Sequence, residues 1–210
     1  MKYGGEYYRW QKDLGTFGAT SDYFKFASWI KKDYRIIDFG CGGGFLLSEI
    51  DCGEKIGIEI NPEAVREAEG RGLRVFNDVG DAPDGWADLI ISNHALEHTE
   101  CPLKILKTLR NKLKPGGKAV FAVPNEKRNR YKTDDINGHL YTWSEMNIGN
   151  LFKSAGFSVL DVRELKHQWP PYSGKIRPVL GNRFFHVLCR IYGTLNNSIS
   201  QIMIAAENPV

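Results

Sequence analysis

Short apolar, β-branched runs punctuate the chain at Arg35–Gly40, Lys55–Ile60, Arg74–Asn77, Ala87–Ser92 and Lys118–Val123. Each has the length and composition of a buried strand. Between them, apolar residues recur at helical spacing. Pro62, following Asn61 as an N-cap, opens one predicted helix, which continues "EAVREAEGRG". Another begins near Pro102 and reads "LKILKTLRNKLK" before "PGG" stops it. Its Leu103, Leu106, Leu109 and Leu113 recur at helical spacing, and Lys and Arg crowd its C-terminal end. Strands alternating with helices predict an α/β chain with a parallel sheet covered on both faces.

The final third leaves that rhythm. Thr142 and Glu145 fit a capping box for a helix running to about Ala155, which Gly156 ends. "FSVLDVREL" and "SISQIMIAAEN" (Ser198–Asn208) read as two more strands, paired antiparallel, which brings the predicted total to seven. Between them lies Lys166–Asn197, rich in Pro and aromatics, with a predicted helix at Arg183–Leu195. Phe184, Leu188, Ile191 and Tyr192 fall on one face of that helix, and this face is expected to dock on the sheet.

Composition narrows the class. The chain has 210 residues, 42% hydrophobic and 25% charged, which suits one globular domain with a sizeable core. No apolar run reaches the length of a membrane span, and "MKYGGEYYRWQKD" lacks the apolar stretch of a signal peptide. A cytoplasmic protein is expected. Cys41, Cys52, Cys101 and Cys189 are scattered without a C-x-x-C pair, which argues for reduced thiols and against a zinc ribbon. The net charge of +3 does not by itself imply nucleic acid. Its distribution is uneven: residues 166–210 hold five Lys/Arg against one acid, +4, while the remainder holds 23 against 24, −1. That tail and the run "KRNRYK" (Lys127–Lys132) read either as solvated surface or as attraction for an anionic substrate.

The candidate chemistry starts at "IIDFGCGGGF", Ile36–Phe45. So many glycines after the first strand bring backbone close to a ligand. A dinucleotide fingerprint counted from Gly40 and Gly42 needs a third glycine at position 45, which is Phe45. A phosphate loop needs a Gly-Lys pair, and none follows here. What remains is D-x-G-x-G-x-G at Asp38, Gly40, Gly42 and Gly44.

This pattern resembles motif I of the class I S-adenosylmethionine-dependent methyltransferases. Further segments resemble the same family in order and spacing: "IGIEIN" with Glu59, "VFNDV" with Asp78, "WADLIISNHALEH", "LKPGGKAVFAVPN" and "HLYTWSEMNIGNLFKSAGF", together covering about residues 35–165. The resemblance implies a three-layer sandwich built on a seven-stranded, mostly parallel Rossmann-like sheet with an antiparallel last strand. It implies an N-terminal lid (1–34) and a cofactor-binding core (35–165); the family pattern does not account for residues 166–197, which read as an insertion serving as substrate cap or interface before a final strand (198–210). It implies S-adenosyl-L-methionine as cofactor and S-adenosyl-L-homocysteine as product. The implied cofactor residues are Asp38, Gly40, Cys41, Gly42, Gly44, Glu59, Ile60, Asn77, Asp78, Asn93 and Tyr8. A carboxylate at Glu59 would accept from the ribose hydroxyls, Asp78 would lie against the adenine, and Asp38 near the amino group. A Cβ at Gly40 or Gly42 is expected to intrude on the ligand or to require backbone angles reserved for Gly.

Methyl transfer is largely a matter of positioning, and an oxygen or nitrogen acceptor can also need a general base. His139 and His94 are the catalytic candidates, with Tyr141, Trp143 and His98 as substrate contacts. "HALEH" also resembles the E-x-x-E-H of metal-dependent RNA 2′-O-methyltransferases and of ubiquinone-pathway O-methyltransferases, with His94 replacing the first Glu. His94, Glu97, His98 and His139 are chemically able to ligate a divalent ion, but a metal-free site is expected. Tyr7, Tyr8 or Trp10 could face the sulfonium. The expected acceptor is a small, anionic, sugar- or nucleotide-linked metabolite. No nucleic acid partner and no membrane span are expected, and the chain would act as a monomer or homodimer. The alternatives are a metal-assisted RNA 2′-O-methyltransferase and a non-catalytic cofactor-binding regulatory or partner subunit.

Overall fold

The computed structural model describes residues 12, 15, 17–126, 131–133, 135, 137–196 and 200–209. A helix covering described residues 17–22 (α1) leads through two 3₁₀ turns, Tyr23–Lys25 and Ala27–Trp29, into the sheet. The order then runs β1 (Arg35–Phe39), α2 (Phe45–Glu49), β2 (Glu54–Ile58), α3 (Pro62–Gly70), β3 (Arg74–Phe76), β4 (Ala87–Asn93), α4 (Pro102–Lys112) and β5 (Leu113–Asn125). It ends with α5 (Glu145–Ser154), β6 (Ser158–Leu165), α6 (Ser173–Leu195) and β7 (Ser200–Glu207).

The seven strands are ordered β3-β2-β1-β4-β5-β7-β6. The first five are parallel, and β7 lies antiparallel between β5 and β6. The antiparallel last strand is therefore as expected. Alternation along the strands sorts side chains into two cores. Ile36, Leu89, Ile91 and Val120 face one way, onto Phe26, Leu47 of α2 and Ala68 of α3. Ile37, Ile90 and Phe121 face the other way, onto Leu106 and Leu109 of α4 and Phe152 of α5. A sheet buried on both faces requires near-continuous apolar strands, which is why these runs stand out in the sequence.

Several expectations needed correcting. The capping box of α5 is Ser144 with Asn147, not Thr142 with Glu145: Asn147 N donates to Ser144 Oγ and Ser144 N donates to Asn147 Oδ1. Both pairs have the same spacing, so the pattern alone could not choose between them. Helix α4 stops at Lys112, because Leu113 is already extended and pairs with Ala87, so β5 starts five residues before Lys118. Helix α6 begins at Ser173 and is broken at Gly181, where φ is 71°. Its second half is rotated relative to the expected face. Phe185, Cys189 and Gly193 are buried, whereas Phe184 and Ile191 face solvent.

Candidate active site

The strand order reverses between β1 and β4, and ligands of open α/β sheets bind outside the carboxyl ends of the strands at that point. A cleft of about 560 Å³ opens there. Asp38, Gly40, Cys41 and Gly42 form one wall, Asn93, His94 and His98 the end of β4, and Glu126 and His139 the opposite side.

The glycine loop divides its work between two positions. Gly40 has φ 74°, and a Cβ there would lie 2.2 Å from Ala95 Cβ. The obstacle is thus the turn after β4, not space reserved for a ligand. At Gly42, φ is 53° and no protein atom lies within 4 Å of where a Cβ would sit, so this residue keeps the cleft itself open. Gly42 N donates to Glu59 Oε2 at 2.9 Å and Asn61 N to Glu59 Oε1 at 2.8 Å, so the carboxylate ending β2 fixes the loop. Burial raises the Glu59 pKa, against those hydrogen bonds. Asp38 is 3% exposed, and burial, followed by repulsion from Glu59, pushes it up to about 7.

Behind this wall lies a closed polar triangle. Lys25 Nζ reaches Asp22 Oδ1 at 3.1 Å and Asn93 Oδ1 at 2.9 Å, while Asn93 Nδ2 donates to Asp22 Oδ2 at 3.1 Å. Desolvation lowers the Lys25 pKa, and Asp22 opposes the shift. The triangle fixes α1 to the end of β4, and both Asp22 and Asn93 face the cleft.

The catalytic candidates meet across a long sequence separation. His94 takes a left-handed conformation, φ 56°, with its N–H on Ala122 O, a strained geometry for a non-glycine residue at a strand end. Leu140 N donates to Glu97 O at 2.9 Å, which brings the 137–141 loop onto the Leu96–His98 turn. The rings of His98 and His139 consequently lie 4.9 Å apart, edge to face. His139 Nδ1 is 3.1 Å from Glu126 Oε2. A carboxylate only accepts, so Nδ1 carries a proton, and in the neutral ring Nε2 then presents its lone pair.

Glu97 is fully buried and both its oxygens lack a hydrogen bond. Its Oε1 is 3.3 Å from His94 Nδ1 and 4.0 Å from His139 Nε2, and Lys25 senses its charge. One ligand atom each from Glu97, His98 and His139 lies within 4.8 Å of the others, a donor set able to hold a divalent cation. Glu126 behind His139 would then orient that ligand.

The other sequence candidates fall elsewhere. Trp143 is buried in the core beneath the sheet, and Tyr141 stacks on it at 5.5 Å and donates to Glu100 O. Neither lines the cleft. Glu59, Ile60, Asn77 and Asp78 sit at the ends of β2 and β3, outside the cleft wall, with Ile60 exposed and Asp78 Oδ1 accepting from Gly80 N at 2.6 Å. A Cβ at Gly44 would meet Ala68 of α3 and Leu73 just before β3, and Gly44 does not line the cleft. Tyr7, Tyr8 and Trp10 lie outside the described residues, as do Lys127–Arg130 of the basic run.

Sequence reasoning named the 1–34 lid and the 166–197 cap but none of the residues by which they and β7 wall the cleft: Gly18 and Asp22 of α1, His167, Gln168 and Trp169 after β6, and Gln201 of β7. His167 is buried with Nδ1 unpartnered and Nε2 3.1 Å from His186 Nδ1. Burial and then Lys25 lower its pKa to about 4, so the ring is neutral. The available signal was "HQWPP", a His and Trp held by two prolines directly after a strand.

Residues 13–162 match the model of a family described as "Methyltransferase domain". Among curated proteins, the chain is 33% identical over 97 residues to ribosomal protein L11 methyltransferase of Ralstonia nicotianae, covering 42% of this chain and 31% of that protein. It is 30% identical over 109 residues to ubiquinone biosynthesis O-methyltransferase of Nitrosococcus oceani, 46% of each chain. The chain thus spans less than half the length of these curated relatives. Among solved structures, a SAM-dependent methyltransferase from Thermotoga maritima superposes with a TM-score of 0.69 at 15% identity, over 98% of this chain and 96% of that one.

Proposed function

Because the chain belongs to the methyltransferase-domain family, we propose that it transfers a methyl group from S-adenosylmethionine to an oxygen or nitrogen nucleophile of a small molecule. One observation carries this reading: a single cleft sets Asp38 and the Gly42 opening against the lone-pair nitrogen of His139.

The residues present suit that donor. Gly42 leaves room where any side chain would fill the cradle, and Asp38 offers a carboxylate to an ammonium group. Glu59, already holding the loop through two backbone N–H groups, keeps further lone pairs for ribose hydroxyls. When bound, the donor supplies a methyl group on a sulfonium, whose departure needs no acid. The protein's work is therefore alignment and removal of the acceptor's proton. His139 Nε2 accepts that proton, and the Glu126 carboxylate stabilises the imidazolium that forms. Trp169 and the α1 residues Gly18, Ala19 and Asp22 wall the cleft on one side.

An anionic metabolite is the acceptor class supported by the basic segment beside the cleft: His167 to Trp169 line it, and residues 166–196 hold five Lys/Arg and no acid. A screen of phosphorylated and carboxylated metabolites for methyl transfer tests this, with uncharged analogues as controls. Equal turnover of the uncharged analogues would overturn the anionic assignment. Failure of S-adenosylmethionine to bind would overturn the whole reading.

A second reading is favoured by the buried carboxylate of Glu97, whose oxygens accept no hydrogen bond among the described residues and lie near the rings of His94 and His139. Glu97, His98 and His139 would hold a divalent ion that acidifies an acceptor hydroxyl. His139 would then serve as a ligand, and activity would vanish with a chelator and return with the metal.

A further inference from the structure

The second half of α6, residues 182–195, buries Phe185, Cys189 and Gly193 against the protein. On its outer side Phe184 is 71% exposed, Val187 54%, Ile191 53% and Leu195 81%. At about 100° per residue these four fall within a sector of roughly 80°. They form one continuous apolar stripe along three turns of helix. Arg183 and Arg190, both exposed, lie together along one border of the stripe, on the same side as the exposed Thr194. Neither makes an ion pair among the described residues. Across residues 166–196 there are five Lys/Arg and no Asp or Glu.

We propose that this half of α6 is a docking element that lies in the headgroup region of an anionic lipid bilayer. The inference does not depend on the donor or on His139; it uses Arg183 and Arg190, two of the five basic residues that favour the anionic acceptor, neither of which lines the cleft. An apolar stripe bordered by arginines is the design of an interfacial helix: the aliphatic side chains enter the acyl boundary while the guanidinium groups extend up to the phosphates. The helix does not cross the bilayer, since no helix of the described residues is long and apolar enough to do so. The charge pattern selects this occupant over two others. A second copy packed on the same face would bring Arg183 and Arg190 against like charges with no acid on the segment to pair them. A nucleic acid would meet the arginines but gain nothing from Val187, Ile191 and Leu195.

The arrangement also joins the surface to the cleft. Arg177, in the first half of α6, donates to Phe17 O and Ser21 Oγ of α1, and its guanidinium lies over the Phe17 ring. Phe185 meets the same ring edge to face at 5.9 Å. The docking helix and the α1 wall of the cleft therefore form one packed unit.

The test is co-sedimentation of the full chain with vesicles of phosphatidylcholine alone and with about one-third phosphatidylglycerol. Binding is expected only to the anionic vesicles and should weaken with salt. F184D/I191D should abolish it, and R183E/R190E should reduce partitioning by at least about tenfold, each basic residue near such a surface being worth roughly fivefold. All four positions are exposed, and an unchanged melting temperature in both variants would show that the fold is intact. Failure of the native chain to bind anionic vesicles overturns the proposal. So does a dimer, seen by light scattering, that F184D/I191D converts to monomer, or an F184D/I191D variant that still binds vesicles as the native chain does.

Discussion

Asp38 offers the sharpest test of the cleft, because its carboxyl is buried and pushed up to about 7. If the donor's ammonium is bound only by ionised Asp38, the apparent Kd scales with 1 + 10^(pKa − pH). The factor is about 100 at pH 5 and about 2 at pH 7, so affinity should tighten about fiftyfold, or ~2.3 kcal/mol. The ligand's α-amino group is protonated over this interval and adds no slope of its own. Calorimetric titration with S-adenosylhomocysteine at successive pH values would measure this. Asp38→Asn should bind weakly and with most of that slope gone, leaving only what Glu59 contributes, whose pKa burial also raises. The same shift governs the ligand-free protein with the opposite sign. A folded-state pKa above the unfolded one makes Asp38 most favourable below about pH 4, and that contribution is lost as the pH rises through about 7. Asp38→Asn should therefore melt higher than the native chain at pH 8, with the gap closing toward pH 4. An affinity that changes less than threefold between pH 5 and pH 7, or a variant with the native slope, would refute the assignment of Asp38 to the ammonium group.

Other consequences separate folding from binding. Gly40→Ala should destabilise the protein by about 2–3 kcal/mol in thermal or urea unfolding through contact with Ala95, and Ala95→Gly should recover part of the loss. Gly42→Ala, which meets no protein atom, should cost only about 1–2 kcal/mol of backbone strain yet weaken donor binding in the same titration. His139→Ala should lower kcat by about 10²- to 10⁴-fold with donor affinity unchanged, and Glu126→Gln should lower it less. Lys25→Met should cost about 3–5 kcal/mol of stability, because Asp22 would be left buried without its counter-charge, with only the Asn93 amide to solvate it. Metal analysis after dialysis against Mn²⁺ should find about one equivalent in the native chain and none in Glu97→Gln if the second reading holds.

The parallel half of the sheet was legible because strands buried on both faces must be apolar throughout, and helices between them must show a stripe. The glycine loop was legible for a related reason: Gly40 and Gly42 need positive φ, and few other residues supply it cheaply. What escaped was anything assembled by tertiary contact. His139 reaches His98 only because Leu140 N bonds to Glu97 O, a contact across 43 positions that no local pattern records. The orientation of α6 escaped for a different reason. Its sequence offers two apolar faces, Phe184–Ile191 and Phe185–Cys189, and hydrophobicity favours the larger side chains, whereas the fold buries the face on which Gly193 allows close approach to the 166–167 backbone. Trp143 and Tyr141 were drawn to the cleft by their nearness in sequence to His139, but a tryptophan that large is worth more in the core.

The charges around the cleft constrain how any acceptor can sit. Asp22, Asp38 and Glu126 face it and Glu97 lies just beneath, while among the described residues the amines of Lys25 and Lys12 nearby are already engaged, with Asp22 and Glu67. Such a field suits a donor carrying sulfonium and ammonium charges. It opposes an anion at the reacting centre, where a like-charge pair at about 4 Å costs roughly 4 kcal/mol at an effective dielectric of 20. An anionic acceptor can therefore present only a neutral hydroxyl or amine to His139, with its charge held about 10 Å or more away. Of the basic residues of the 166–196 segment, Arg177 reaches Phe17 O and Ser21 Oγ of α1, the helix that walls the cleft beside Trp169, so that side of the cleft is where the charge would be favoured. Lengthening the spacer between acceptor atom and anionic group should then raise kcat/KM until the charge reaches this rim. A preference for the shortest spacer would place the negative charge among the carboxylates and contradict the electrostatics of the site.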